Sequence, residues 1–85
     1  MITLEECIEM TDLTRDEIDA ICEHEHIPEV AAAAYADYLM HRDSGVADLH
    51  AMIRDDIRDA LARGDRQHAA SLLVTLRRFL AAHPS

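Results

Sequence analysis

Apolar residues in the second half of the chain recur at steps of three and four. Val46, Leu49, Ile53, Ile57, Ala60 and Leu61 form one such series, with Met52 beside it. Ala69, Leu72, Leu73, Leu76, Phe79 and Leu80 form another. This period covers one side of an α-helix and cannot be laid out as an alternating strand. Only Gly64 and Asp65 need separate the two series: Gly64 suits the residue just past a helix end, and Asp65 suits an N-cap. Two helices joined by so short a turn run antiparallel. The opposite side of the first helix carries Asp48, Arg54, Asp55, Arg58 and Asp59, a mixed-charge solvent face.

The stretch Ala60-Leu61-Ala62-Arg63-Gly64-Asp65, continuing to Ala69, Ala70, Leu72 and Leu73, resembles the turn of helical-repeat hairpins such as tetratricopeptide units. The resemblance covers about a third of the chain. It implies hairpin geometry alone: the Trp, Gly and Tyr positions of that family are missing, and no second copy follows.

Pro28 decides the middle of the chain. Inside a helix a proline removes a backbone bond and clashes with the preceding turn, whereas in the first turn it costs little. The junction is therefore expected at His26-Ile27, with a helix from Pro28 to about His41; one kinked helix is the alternative. Ala31 to Ala34 give this helix a thin waist that another helix can approach. Upstream, Thr14-Arg15-Asp16-Glu17 reads as a capping box, and Leu13 with Ile18 as a hydrophobic staple. That helix continues through Ile21 and Cys22. Thr3-Leu4-Glu5-Glu6 reads as another capping box, opening a short helix to about Met10 with Leu4, Cys7 and Ile8 on one face. Arg42 to Gly45 is a loop in which Asp43 or Ser44 can cap the next helix. Pro84 ends the last helix. The expected fold is all-α: a single domain over 1–85, a compact bundle of four main helices plus a short N-terminal one.

Of the 85 residues, 49% are apolar, which fits a folded domain, and the only aromatic rings besides histidine are Tyr35, Tyr38 and Phe79. All basic residues are arginine, and 17 acids against 8 arginines give a net charge of −9. The imbalance is local: residues 1–45 hold 12 acids and 2 arginines, residues 46–85 hold 5 and 6. An acidic half repels phosphate backbones, so nucleic acid is not an expected partner; a basic protein or a cation is. The would-be recognition helix of a helix-turn-helix is mostly alanine with Asp37 and no Arg. The N-terminus is acidic, without the basic start of a signal peptide, and Val30 to Ala36 is too short to span a bilayer. The expectation is a cytoplasmic, bacterial-type protein with Cys7 and Cys22 reduced and packed as small apolar residues.

Candidate chemistry gathers at Ile21 to Glu29, where a thiol, histidines and carboxylates crowd together. Glu25 falls on the inner face set by Ile18, Ile21 and Cys22, unless the helix end opens that face to water; His26 flanks it, while Glu23 and His24 point away. Cys22, His26 and Glu29 could converge on one metal if the chain bends at Pro28, with His24 and Glu25 as alternatives; zinc, nickel or iron would accept such ligands. Glu23-x-x-His26 has the spacing of carboxylate-bridged di-iron bundles, which need further glutamates; Glu9 or Asp12, or the same residues from a second chain, could supply them. Glu29, Ala33, Asp37 and His41 make a thin polar stripe, with Asp37–His41 a helix-end pair. His50, His68 and His83 are scattered. Ser44, Ser71 and Ser85 sit in no nucleophile elbow, and no Gly-rich loop can hold a phosphate.

The reading that follows is a small non-enzymatic interaction or regulatory module. It self-associates as a symmetric homodimer, and its acidic half meets a basic protein. The alternative is a metal-binding protein using Cys22, Glu23, Glu25, His26 and Glu29.

Overall fold

In the computed structural model the chain is all-helical. The structure describes residues 3–9, 11 and 13–84, and for Leu4, Cys7 and Ile8 the backbone only. Four main helices follow one another: α2 (Arg15–Glu25), α3 (Glu29–Met40), α4 (Gly45–Ala62) and α5 (Arg66–Ala82). A single turn and a half, α1 (Leu4–Glu9), precedes them. The apolar face expected to anchor α1 lies outside the described side chains, so a fifth packed helix is not a supported part of the bundle.

Each junction has a local cause. The Thr14 hydroxyl accepts from the Glu17 amide at 3.3 Å, and the Glu17 carboxylate accepts from the Thr14 amide at 2.9 Å, completing the capping box. Leu13 and Ile18 are both buried beside it. Helix α2 ends where His26 turns left-handed, at φ 57° and ψ 45°. The amides of His26 and Ile27 both donate to the Cys22 carbonyl, the pattern of a helix stop. Pro28 is the N-cap of α3, in extended conformation, so α2 and α3 are separate helices. At the next junction Gly45 is buried, and a Cβ there would lie 1.8 Å from the Leu39 carbonyl oxygen. The end of α3 and the start of α4 approach each other too closely for a side chain. Ser44 occupies the N-cap of α4, but its hydroxyl donates to Asp48 at 3.0 Å and caps no amide. Gly64, at φ 78°, closes α4: its amide donates to Leu61 and the Asp65 amide to Ala60. Asp65 then accepts from the His68 amide at 3.1 Å and starts α5.

Helices α2 and α4 form the middle of the bundle and touch each other; each also touches both α3 and α5, which lie on opposite flanks. The core is Ile18, Ile21, Leu39, Leu49, Ile53 and Phe79, all fully buried. Each such side chain contributes about 1.5–3 kcal/mol relative to exposure. Ala32, Ala33 and Ala36 are also buried, which is the close approach that the alanine waist allows. The apolar stripes are narrower than their spacing predicts. Leu61, Leu73 and Leu80, expected inside, are 56%, 48% and 36% exposed, and Val74 is 48% exposed. The reason lies in the packing of a flat bundle, 41 × 28 × 17 Å: α5 meets α4 and α2 on one side, and no described helix lies over its outer edge. No helix among the described residues is long and apolar enough to cross a membrane.

Candidate functional site

The side chains from Cys22 to Glu29 divide among different neighbours. Glu23 reaches across to α5 and pairs with Nε2 of His68. Glu29 pairs with Arg15 at 2.8 Å, tying the start of α3 to the start of α2. Glu25 is exposed; Nδ1 of His24 stands 3.4 Å from its carboxylate, and it faces the Tyr35 hydroxyl. His26 is exposed, and its backbone forms the helix stop. Cys22 is partly buried against the core, where burial first, then the charges of Asp19 and Glu29, push its thiol pKa up. It therefore stays a protonated thiol, a poor ligand and nucleophile at neutral pH. Among the described residues no three histidine, cysteine or acidic side chains are placed to hold a metal. Asp37 and His41 do come together, with Nδ1 of His41 3.6 Å from the Asp37 carboxylate.

The polar chemistry lies along both sides of α2 instead. Asp16, Asp19 and Glu23 recur at steps of three and four, which aligns them on one side of the helix. With His68, Ser71 and Thr75 of α5 they rim a notch of about 270 Å³. Burial first, then the Glu29 carboxylate, raise the pKa of Asp19. Glu17 is a different kind of acid. It is 2% exposed and its carboxylate is committed to the cap; burial raises its pKa, against the lowering effect of the Thr14 amide.

The other side of α2 faces α4. There Glu23, His24, His26, Asp56, Asp59 and Arg63 line a second notch of about 170 Å³. His24, expected to point away, is only 27% exposed in its side chain, and its Nε2 lies 3.8 Å from Asp55. Its Nδ1 is sealed from solvent without a hydrogen bond, because the nearby Glu25 oxygen is off the bonding direction. Asp56 is 7% exposed, and its Oδ2 is sealed with no partner. Burial raises its pKa to about 6; His24 opposes the rise, and Glu23, Asp59 and Asp55 add to it.

Both Glu23 and His24 were expected on the outside. They meet neighbours because α2 is flanked by three helices and its open side is narrow. Asp56 has a sequence signal that periodicity alone passes over: it stands three residues after Ile53 and four before Ala60, an acid on the apolar stripe. No family model, no curated protein and no solved structure matches the chain.

Proposed function

We propose that this chain is a non-enzymatic protein-interaction or regulatory module whose acidic side, centred on α2, receives a basic protein partner. The observation that carries the reading is the line Asp16, Asp19 and Glu23 along a notch, three carboxylates on one side of one helix with the His68 imidazole opposite. Carboxylates so arranged give a negative potential that steers a basic partner and adds specificity. The reading includes self-association as a homodimer through the uncovered apolar edge of α5, where Leu73, Val74 and Leu80 are exposed. It also places the protein in the cytoplasm, where Cys22 remains a thiol. Metal binding at residues 22–29 stands behind this reading, because it would first have to release Glu29 from Arg15 and Glu23 from His68.

The test is charge reversal on the exposed acids, with Asp16→Lys and Asp19→Lys combined. Glu17 is left alone, since changing it would open the cap. Partners co-purified from the native source at low salt should be lost in the double variant and weakened in the wild type by added salt. Undiminished capture by the reversed protein would refute the acidic-side reading. Sedimentation of Leu73→Glu/Leu80→Glu against wild type tests the dimer: the variant should run as a monomer, and an unchanged wild-type monomer would remove self-association.

A further inference from the structure

The notch between α2 and α4 contains a carboxylate that has no partner. Asp56 makes no hydrogen bond or ion pair with any described residue, although its side chain is almost fully buried. An isolated carboxylate in that position is costly, and a donor brought from outside offsets the cost. Four further groups near it leave it without a hydrogen bond. Glu23 is held by His68, Asp59 adds negative charge, His24 favours the carboxylate without bonding to it, and Arg63 at the end of α4 forms no ion pair among the described residues. The notch, about 170 Å³, admits a side-chain tip but no larger element.

We propose that this notch is the seat of an arginine guanidinium from a basic protein partner, with Asp56 as its anchoring carboxylate. The proposal rests on the interaction reading above and assigns it a specific contact. A guanidinium fits better than an ammonium for two reasons. Asp56 and Asp59 stand one turn apart on α4 with Glu23 across from them, so acceptors face the notch from several directions, and a guanidinium has five donors in a plane. It is also less strongly hydrated, so it enters a half-closed site at lower cost. A metal ion is a poorer fit, because no three ligands are gathered.

The experiment titrates agmatine, a four-carbon chain with a guanidinium at one end and an ammonium at the other, into isotope-labelled protein and follows the backbone amide resonances. 1,4-Diaminobutane, with an ammonium at both ends and the same charge, is the ammonium control and zinc chloride the metal control. Agmatine should give saturable shifts at Asp56, Asp59 and His24, and 1,4-diaminobutane should bind several-fold more weakly. Asp56→Asn, which keeps the shape of the side chain, should weaken agmatine at least about tenfold, the loss of one charge-assisted hydrogen bond. The spectrum of that variant reports directly whether it is folded. If it is not, Asp59→Asn provides the second measurement and should weaken agmatine several-fold. Shifts that do not saturate, equal binding by the folded Asn variants, or displacement of agmatine by zinc would each overturn the assignment. Its failure is distinguishable from failure of the wider reading: if the notch binds no agmatine while Asp16→Lys/Asp19→Lys still abolishes partner capture, only the seat is wrong.

Discussion

Replacing Asp56 by Asn should stabilise the protein at neutral pH and leave it nearly unchanged in acid. The sign follows from the proton. The carboxyl of Asp56 has a pKa of about 6 in the folded protein, against an ordinary 3.8. Between those values the folded chain binds the proton more tightly than the unfolded one, so stability falls as pH rises through the window and stays reduced above it. At 1.36 kcal/mol per pH unit the gap corresponds to about 3 kcal/mol at neutral pH, roughly half of that at pH 5 and less than about 1 kcal/mol at pH 4. Asparagine has no charge to lose and the same volume. Its own amide remains without a partner, which trims the gain at neutral pH to about 2–3 kcal/mol. Urea unfolding followed by helical circular dichroism, for both proteins across this pH range, measures the difference. The expected result is a gain that shrinks steadily with acidification while the denaturant slope stays constant. A gain independent of pH would mean that burial of a charge is not its source. A loss of stability at neutral pH would mean that the carboxylate has a stabilising partner, and the argument for an unmatched Asp56 would fail with it.

Other perturbations separate the remaining structural claims, each read by the same urea unfolding. His26→Gly should stabilise by about 0.5–1 kcal/mol, since glycine adopts the left-handed stop without strain; a metal site using His26 would make the same change a loss once metal is present. Gly45→Ala should cost more than about 2 kcal/mol, because the new methyl meets the Leu39 carbonyl and two helices must part. A neutral result there would mean the α3–α4 approach is looser than described. Thr14→Ala should cost about 1–2 kcal/mol, losing the cap and leaving Glu17 with half of its reciprocal bond.

The helices were legible because their signals are local. A capping box needs four residues, a Gly-Asp turn two, and a proline at a junction one; each acts on its own backbone whatever the rest of the chain does. Thr14–Glu17, Pro28 and Gly64–Asp65 therefore mark their junctions as expected. Gly45 was not legible in the same way. Its smallness is required by the Leu39 carbonyl, six residues back along the chain and on another helix, and a single glycine beside a serine reads only as a loop. Leu61, Leu73 and Leu80 show the same limit from the apolar side: period places them near the core face, but how many of them are covered depends on how many neighbours the bundle supplies.

The candidate site differs for a related reason. Residues 22–29 drew attention by density, since ligand-type side chains stand next to one another there. Adjacent residues on a helix point a hundred degrees apart, so density along the chain disperses chemistry as readily as it gathers it. The structure sends Glu23 to His68, Glu29 to Arg15 and His24 toward Asp55, three different partners on α5, α2 and α4. What gathers instead is a pair of notches whose residues come from α2 with α5 and from α2 with α4, some thirty to sixty positions apart in sequence. Periodicity could still have flagged one member. An acid at the phase of Ile53 and Ala60 must be solvated, paired or destabilising, and Asp56 is 7% exposed with its Oδ2 sealed and without a partner. A buried carboxylate with that status lowers the stability of the isolated chain. It does so least when an external cation occupies the α2–α4 notch, so the free energy the fold gives up at Asp56 becomes available to binding.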